Sequence, residues 1–134
     1  MIAKEERRLR VGVLGCGPIA QFAHFDACVK ARNADLHALC DVADDLVERM
    51  ASQYQPARTY GDYATMLADP DIEAVVIATA DSFHVPAAIQ ALEAGKHVLC
   101  EKPIGVAVEE VETLRDVVQR SGRVLQVGHM KRFD

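Results

Sequence analysis

Short, nearly unbroken apolar runs alternate with amphipathic stretches along the chain. Val11–Leu14, Leu36–Cys40, Ala74–Ala78, Val98–Cys100 and Val124–Val127 are rich in Val, Ile, Leu, Ala and Cys. Continuous apolarity, rather than strict alternation, is the pattern of strands covered by helices on both faces of a parallel sheet. A shorter and weaker run at Arg58–Tyr60 predicts a further strand.

Between these runs the apolar spacing lengthens to three or four residues. Val85, Ala88, Ile89 and Leu92 share one helical face, and Ala94-Gly95 supplies a stop. Ala107, Val111, Leu114 and Val118 form a second stripe, closed by Ser121-Gly122. Leu46, Met50 and Tyr54 form a third, ending before Pro56. Asp62 is placed to cap a short helix reaching Leu67, and Asp69-Pro70-Asp71 forces a turn. The alternation predicts an α/β fold, a doubly wound parallel sheet of the Rossmann type. It should hold about six strands in the order 3-2-1-4-5-6, with helices on both faces. Residues 1–134 are expected to form one dinucleotide-binding domain.

Composition narrows the partners. A net charge of −5 gives no reason to expect nucleic acid or an anionic membrane surface. No apolar run is long enough to span a bilayer, and the amino-terminal residues lack the apolar core of a secretory signal. Cys16, Cys28, Cys40 and Cys100 are widely spaced with no C-x-x-C pair, which fits reduced thiols in a cytoplasmic protein. Cys16, Cys40 and Cys100 all fall near strand ends. A redox switch among them is a minor alternative to plain reduced thiols. No three histidines have the spacing of a metal site, so none is expected. His24, His37 and His97 read as packing or surface residues.

Candidate chemistry begins at the first turn. Gly15-Cys16-Gly17-Pro18-Ile19-Ala20 follows a strand and opens a helix continuing to about Val29. This is G-x-G-x-x-A. Gly15 permits the tight turn, Gly17 lets backbone amides approach a diphosphate, and Ala20 lets the helix pack on the strand. The helix start presents free N–H groups and the positive end of its dipole, and Pro18 suits that first turn. Asp41 closes the second strand, where a carboxylate can accept both hydroxyl protons of an adenosine ribose. It would repel a 2′-phosphate, and Val42-Ala43 offers no arginine to neutralise one, so NAD is favoured over NADP. A helix cap is the alternative role for Asp41. Methyltransferases also use a glycine-rich first turn and an acid after the second strand.

The run His97-Val98-Leu99-Cys100-Glu101-Lys102-Pro103 separates the two readings. A buried strand ends abruptly on a carboxylate, a lysine and a proline. Pro103 stops the strand and is one of the few places where a cis peptide is affordable. Lys102 would sit at the carboxyl end of a parallel strand, where open α/β sheets bind ligands. A solvated lysine in a turn is the ordinary alternative.

With these motifs the chain resembles the amino-terminal domain of the glucose–fructose oxidoreductase/inositol dehydrogenase/rhizopine-catabolism (Gfo/Idh/MocA) family, from Arg10 onward. The resemblance rests on the glycine turn, Asp41, Asp69–Thr79, His84, Ala94–Pro103 and Val127–Phe133. It implies that Lys102 is the active-site lysine beside the nicotinamide, stabilising a developing alkoxide and joining a proton relay. It also implies that Glu101 lies near the nicotinamide ribose and that the bond at Pro103 is cis. Thr79 and Ala80 would line the diphosphate and nicotinamide side. Family members often have proline and asparagine where Ala80 and Asp81 stand. Asp81 is expected to cap the helix starting near Phe83. His84 is equally open to a structural role and to cofactor contact, and His129 and Arg132 match the segment leading out of the sheet.

The resemblance further implies hydride transfer between NAD and a sugar, inositol or related polyol. The family's carboxy-terminal substrate domain is absent from this chain, so cofactor binding with little turnover is expected. An oligomer is expected of a full-length parent. The rival reading is a non-catalytic NAD-binding or sensing module.

Overall fold

The computed structural model describes residues 7–129. Six strands form one sheet: β1 Leu9–Leu14, β2 Ala34–Cys40, β3 Arg58–Tyr60, β4 Ala74–Ile77, β5 His97–Glu101 and β6 Leu125–Gly128. Their order is β3-β2-β1-β4-β5-β6, and every neighbouring pair is parallel. The predicted Rossmann architecture is present. Strand ends differ from the apolar runs by up to two residues, because polar residues such as His97 and Glu101 also join the ladder.

Alternate side chains on the inner strands feed two separate cores. On β4, Val75 and Ile77 pack into one and Val76 into the other. The first core takes α3 (Tyr63–Leu67), α4 (His84–Glu93) and α5 (Val108–Ser121) through Met66, Leu92 and Leu114. The second takes α1 (Phe25–Lys30) and α2 (Asp44–Tyr54) through Phe25, Val47 and Met50. Burying a side chain such as Leu92 or Phe25 contributes roughly 2 kcal/mol. Two-sided burial is why the strands read as unbroken apolar runs.

Helix ends follow local chemistry. Asp62 caps α3 by accepting the Thr65 N–H at 3.0 Å, as expected. Gly95 (φ +80°) and Gly122 (φ +67°) take the left-handed conformation that stops α4 and α5. Pro86 lies in the first turn of α4, where its missing N–H costs nothing. Asp81 does not cap that helix. Ala80 holds the extended position ahead of the 3₁₀ turn Asp81–Phe83, and no side-chain cap is made there. Asp81 instead forms the first residue of the turn, where its charge meets the positive helix end.

The helix after the glycine turn also differs in detail. Residues Ala20–His24 form a π-helical turn before α1. The Phe25 N–H donates to the Ala20 carbonyl five residues back. The amphipathic pattern carries no mark of that wider turn. Among the described residues no helix is long and apolar enough to cross a membrane.

Candidate functional site

The order reverses between β1 and β4, and strand carboxyl ends beside such a reversal form the ligand crevice of open α/β sheets. A crevice of about 750 Å³ lies there. Of the predicted site residues, Gly15, Gly17, Pro18, Ile19, Asp41, Thr79 and Ala80 line it.

Gly15 is held at φ +94°, and a Cβ there would stand 2.6 Å from the Ala78 carbonyl oxygen. No side chain is tolerated where the first strand turns against β4. At Gly17 a Cβ would meet nothing within 4 Å. Gly17 lines the crevice, and with open space around it the second glycine is not demanded by packing. A vacant approach to backbone amides at a helix start fits a diphosphate.

Asp41 links the glycine turn to the loop after β2. Its Oδ2 accepts the Cys16 N–H at 2.8 Å and its Oδ1 accepts the Ala43 N–H at 2.9 Å. A carboxylate has about four acceptor positions, so each oxygen keeps one for an incoming hydroxyl. The α2 cap position belongs to Ala43, which removes the simple capping role for Asp41.

The remaining predicted residues lie outside the crevice lining. Cys16 is buried, and its backbone N–H serves Asp41. Burial pushes the Cys16 and Cys40 thiols up to about 12, with the Asp41 charge adding to the effect. Burial likewise pushes Cys100 up to about 12, helped by Glu101. These are inert thiols, which disfavours the redox alternative. Ala20 is fully buried in the second core, as close helix–strand packing requires.

His84 is a brace. Its Nδ1 lies 2.6 Å from the Pro103 carbonyl and its Nε2 lies 3.0 Å from the Thr79 carbonyl. With 1 % exposure and both nitrogens engaged, it ties the loop after β4 to the loop after β5. A neutral ring donates to one of these carbonyls and a charged ring to both.

Lys102 and Pro103 are exposed beyond β5, and the bond between them is cis. Glu101 turns toward the π-helical turn, where His24 Nε2 stands 2.7 Å from its Oε1. His129 is exposed just after β6, and Arg132 lies outside the described residues.

Sequence reasoning missed part of the crevice. Val42 and Phe83, 91 % and 62 % exposed, present apolar surface at its mouth, with Pro86 and Ala87 behind them. An unexplained apolar residue directly after Asp41 was the available signal.

A second polar cluster lies around Asp69, which is buried. Arg58 Nη1 and Tyr60 Oη contact Asp69 Oδ2 at 2.8 and 2.7 Å, and the Asp71 N–H donates to its Oδ1. Burial alone would raise the Asp69 carboxyl, but these donors hold it well below the carboxylate range. Buried Lys96 donates to the carbonyls of Asp69 and Ile72, both at 2.8 Å. Burial lowers its pKa. His37, Asp69 and Asp71 bring possible ligand atoms within 4.8 Å of one another. Arg58 already bridges both carboxylates, so a divalent ion would have to displace a guanidinium. The cluster reads as an ion-pair network.

Comparison with known proteins agrees with this arrangement. Residues 9–129 match the GFO/IDH/MocA model, described as an oxidoreductase family with an NAD-binding Rossmann fold. An uncharacterized oxidoreductase of Rhizobium meliloti is 40 % identical over 124 residues, 92 % of this chain and 37 % of that protein. An inositol 2-dehydrogenase of Salmonella paratyphi B is 30 % identical, over 94 % of this chain and 38 % of its own length. A solved scyllo-inositol dehydrogenase from Lactobacillus casei, with bound NAD(H) and scyllo-inositol, superposes with a TM-score of 0.90 at 30 % identity. That match covers 96 % of this chain and 38 % of the solved one. The chain thus spans under two-fifths of the length of these relatives. With fold, crevice and family model in agreement, the chain belongs to the GFO/IDH/MocA oxidoreductase family, as its NAD-binding Rossmann domain.

Proposed function

We propose that this domain binds NAD, in preference to NADP, for an oxidoreductase acting on a sugar, inositol or related polyol. The observation that carries the reading is Asp41. Its carboxylate lines the crevice beside the glycine turn, held by two backbone N–H groups, and Val42 follows it. A ribose diol can bond to the free acceptor positions, whereas a 2′-phosphate would meet a negative charge. The opening over Gly17 leaves room for a diphosphate at the helix start, and Val42 and Phe83 offer apolar faces to an adenine ring.

When bound, NAD supplies a nicotinamide that accepts or returns hydride. The chain's contribution is position and charge. Lys102, beyond β5, favours the alkoxide that develops as hydride leaves the alcohol carbon, and its Nζ can share in moving the hydroxyl proton. His84 keeps the Thr79 and Pro103 loops together on either side of that point. The inositol dehydrogenases among the similar proteins support a polyol as substrate.

Calorimetric titration of the chain with NAD and NADP tests this. The expected result is NAD binding at least tenfold tighter than NADP. Binding of neither would end the reading.

A further inference from the structure

We infer that His24 is a positioning residue for the nicotinamide half of the site, acting by holding the Glu101 carboxylate. This rests on the dinucleotide reading proposed above and adds a residue to it.

The two groups meet across 77 positions of sequence, with His24 Nε2 2.7 Å from Glu101 Oε1. Their side chains are 11 % and 18 % exposed, so the contact is largely shielded from water. Glu101 is the last residue of β5 and directly precedes Lys102. In a doubly wound sheet the adenine half lies over the first three strands and the nicotinamide half over the later ones. The Glu101 carboxylate therefore stands at the nicotinamide end, as Asp41 stands at the adenine end. An imidazole N–H on Oε1 leaves Oε2 free to accept.

The backbone is shaped around this contact. His24 closes the π-helical turn Ala20–His24, and single π turns concentrate at functional sites. Across β5–β6, Glu101 is paired with Gly128, where a Cβ would lie 3.5 Å from Glu101 Oε1. Gly128 thus lies in ordinary contact distance of the carboxylate. A shielded imidazole–carboxylate pair also adds little stability over well-packed apolar residues, because desolvation offsets the attraction. What the pair does is tie the helix rising from the glycine turn to the strand end that carries Lys102.

The test compares NAD with ADP-ribose, which lacks the nicotinamide, by calorimetry on the full chain and on His24→Ala, His24→Gln, Glu101→Ala and the double alanine variant. Expected is a loss of about tenfold in NAD affinity for His24→Ala, with ADP-ribose affinity unchanged within twofold. His24→Gln, which keeps a donor, should recover most of the loss. The double variant should bind NAD no more weakly than Glu101→Ala alone. Equal weakening of both ligands, or no effect on either, overturns the positioning role. Should His24→Ala fail to fold, His24→Gln and Glu101→Ala still decide it. Near-parental NAD affinity in the first with selective NAD loss in the second supports the role, and any other pair of results overturns it. Failure of the unaltered chain to bind either ligand would instead overturn the dinucleotide reading beneath it.

Discussion

The Cys16 N–H donates to Asp41 Oδ2 at 2.8 Å, so the glycine turn and the end of β2 are one hydrogen-bonded unit. The same carboxylate that would select the ribose also sets the shape of the loop that would receive the diphosphate. Asp41→Ala is therefore expected to weaken NAD binding by about 10- to 100-fold, the loss of charge-assisted hydrogen bonds. Adding Val42→Arg should shift the remaining preference toward NADP. Parallel calorimetric titrations read both effects.

The two crevice glycines should fail in different ways. Gly15→Ala puts a methyl 2.6 Å from the Ala78 carbonyl at a left-handed φ, and should cost at least about 2 kcal/mol in denaturant unfolding. Gly17→Val meets open space, so stability should hold while NAD binding is lost. Retained NAD binding by Gly17→Val would show that the ligand does not pass over this turn.

His84→Leu should destabilise the domain by roughly 1 kcal/mol, because the side chain that ties the Thr79 carbonyl to the Pro103 carbonyl loses its polar contacts. Urea unfolding measures it. The loops carrying Thr79 and Lys102 should exchange amide protons faster in the variant.

Acid should unfold the chain partly through Asp69. Its carboxyl titrates below the ordinary value in the fold, so on acidification the unfolded chain binds that proton first. The contribution is full above about pH 4, where the unfolded carboxyl is ionised, and is lost as pH falls through the folded value. Asp69→Ala should cost about 1–2 kcal/mol at neutral pH by removing the shared acceptor of Tyr60 Oη and the Asp71 N–H. It should also flatten the acid limb of the stability curve. Unfolding curves from pH 2 to pH 7 for both chains provide the comparison.

What was legible in the sequence was what local chemistry decides. Two-sided burial wrote the strands as apolar runs, and Gly15, Asp62 and Gly122 signalled their turns and caps. Contacts made by distant residues left no such trace. His24 and Glu101 are 77 positions apart, and nothing local distinguishes this histidine from one that merely packs. Lys96 passed as part of a motif, yet it is buried against the carbonyls of Asp69 and Ile72. Asp81 was misread because its residue type suits a cap, while the backbone starts the 3₁₀ turn one residue earlier than the pattern suggested.

The proposed function puts the dinucleotide in the crevice between β1 and β4. Amide chemical-shift mapping of the ¹⁵N-labelled chain during NAD titration tests it most directly. The expected shifts are at Gly15, Gly17, Val42, Thr79 and Ala80, with Glu101 and Lys102 moving for NAD but not for ADP-ribose. Shifts centred instead on Asp69, His37 and Arg58, or none in the glycine turn, would contradict it.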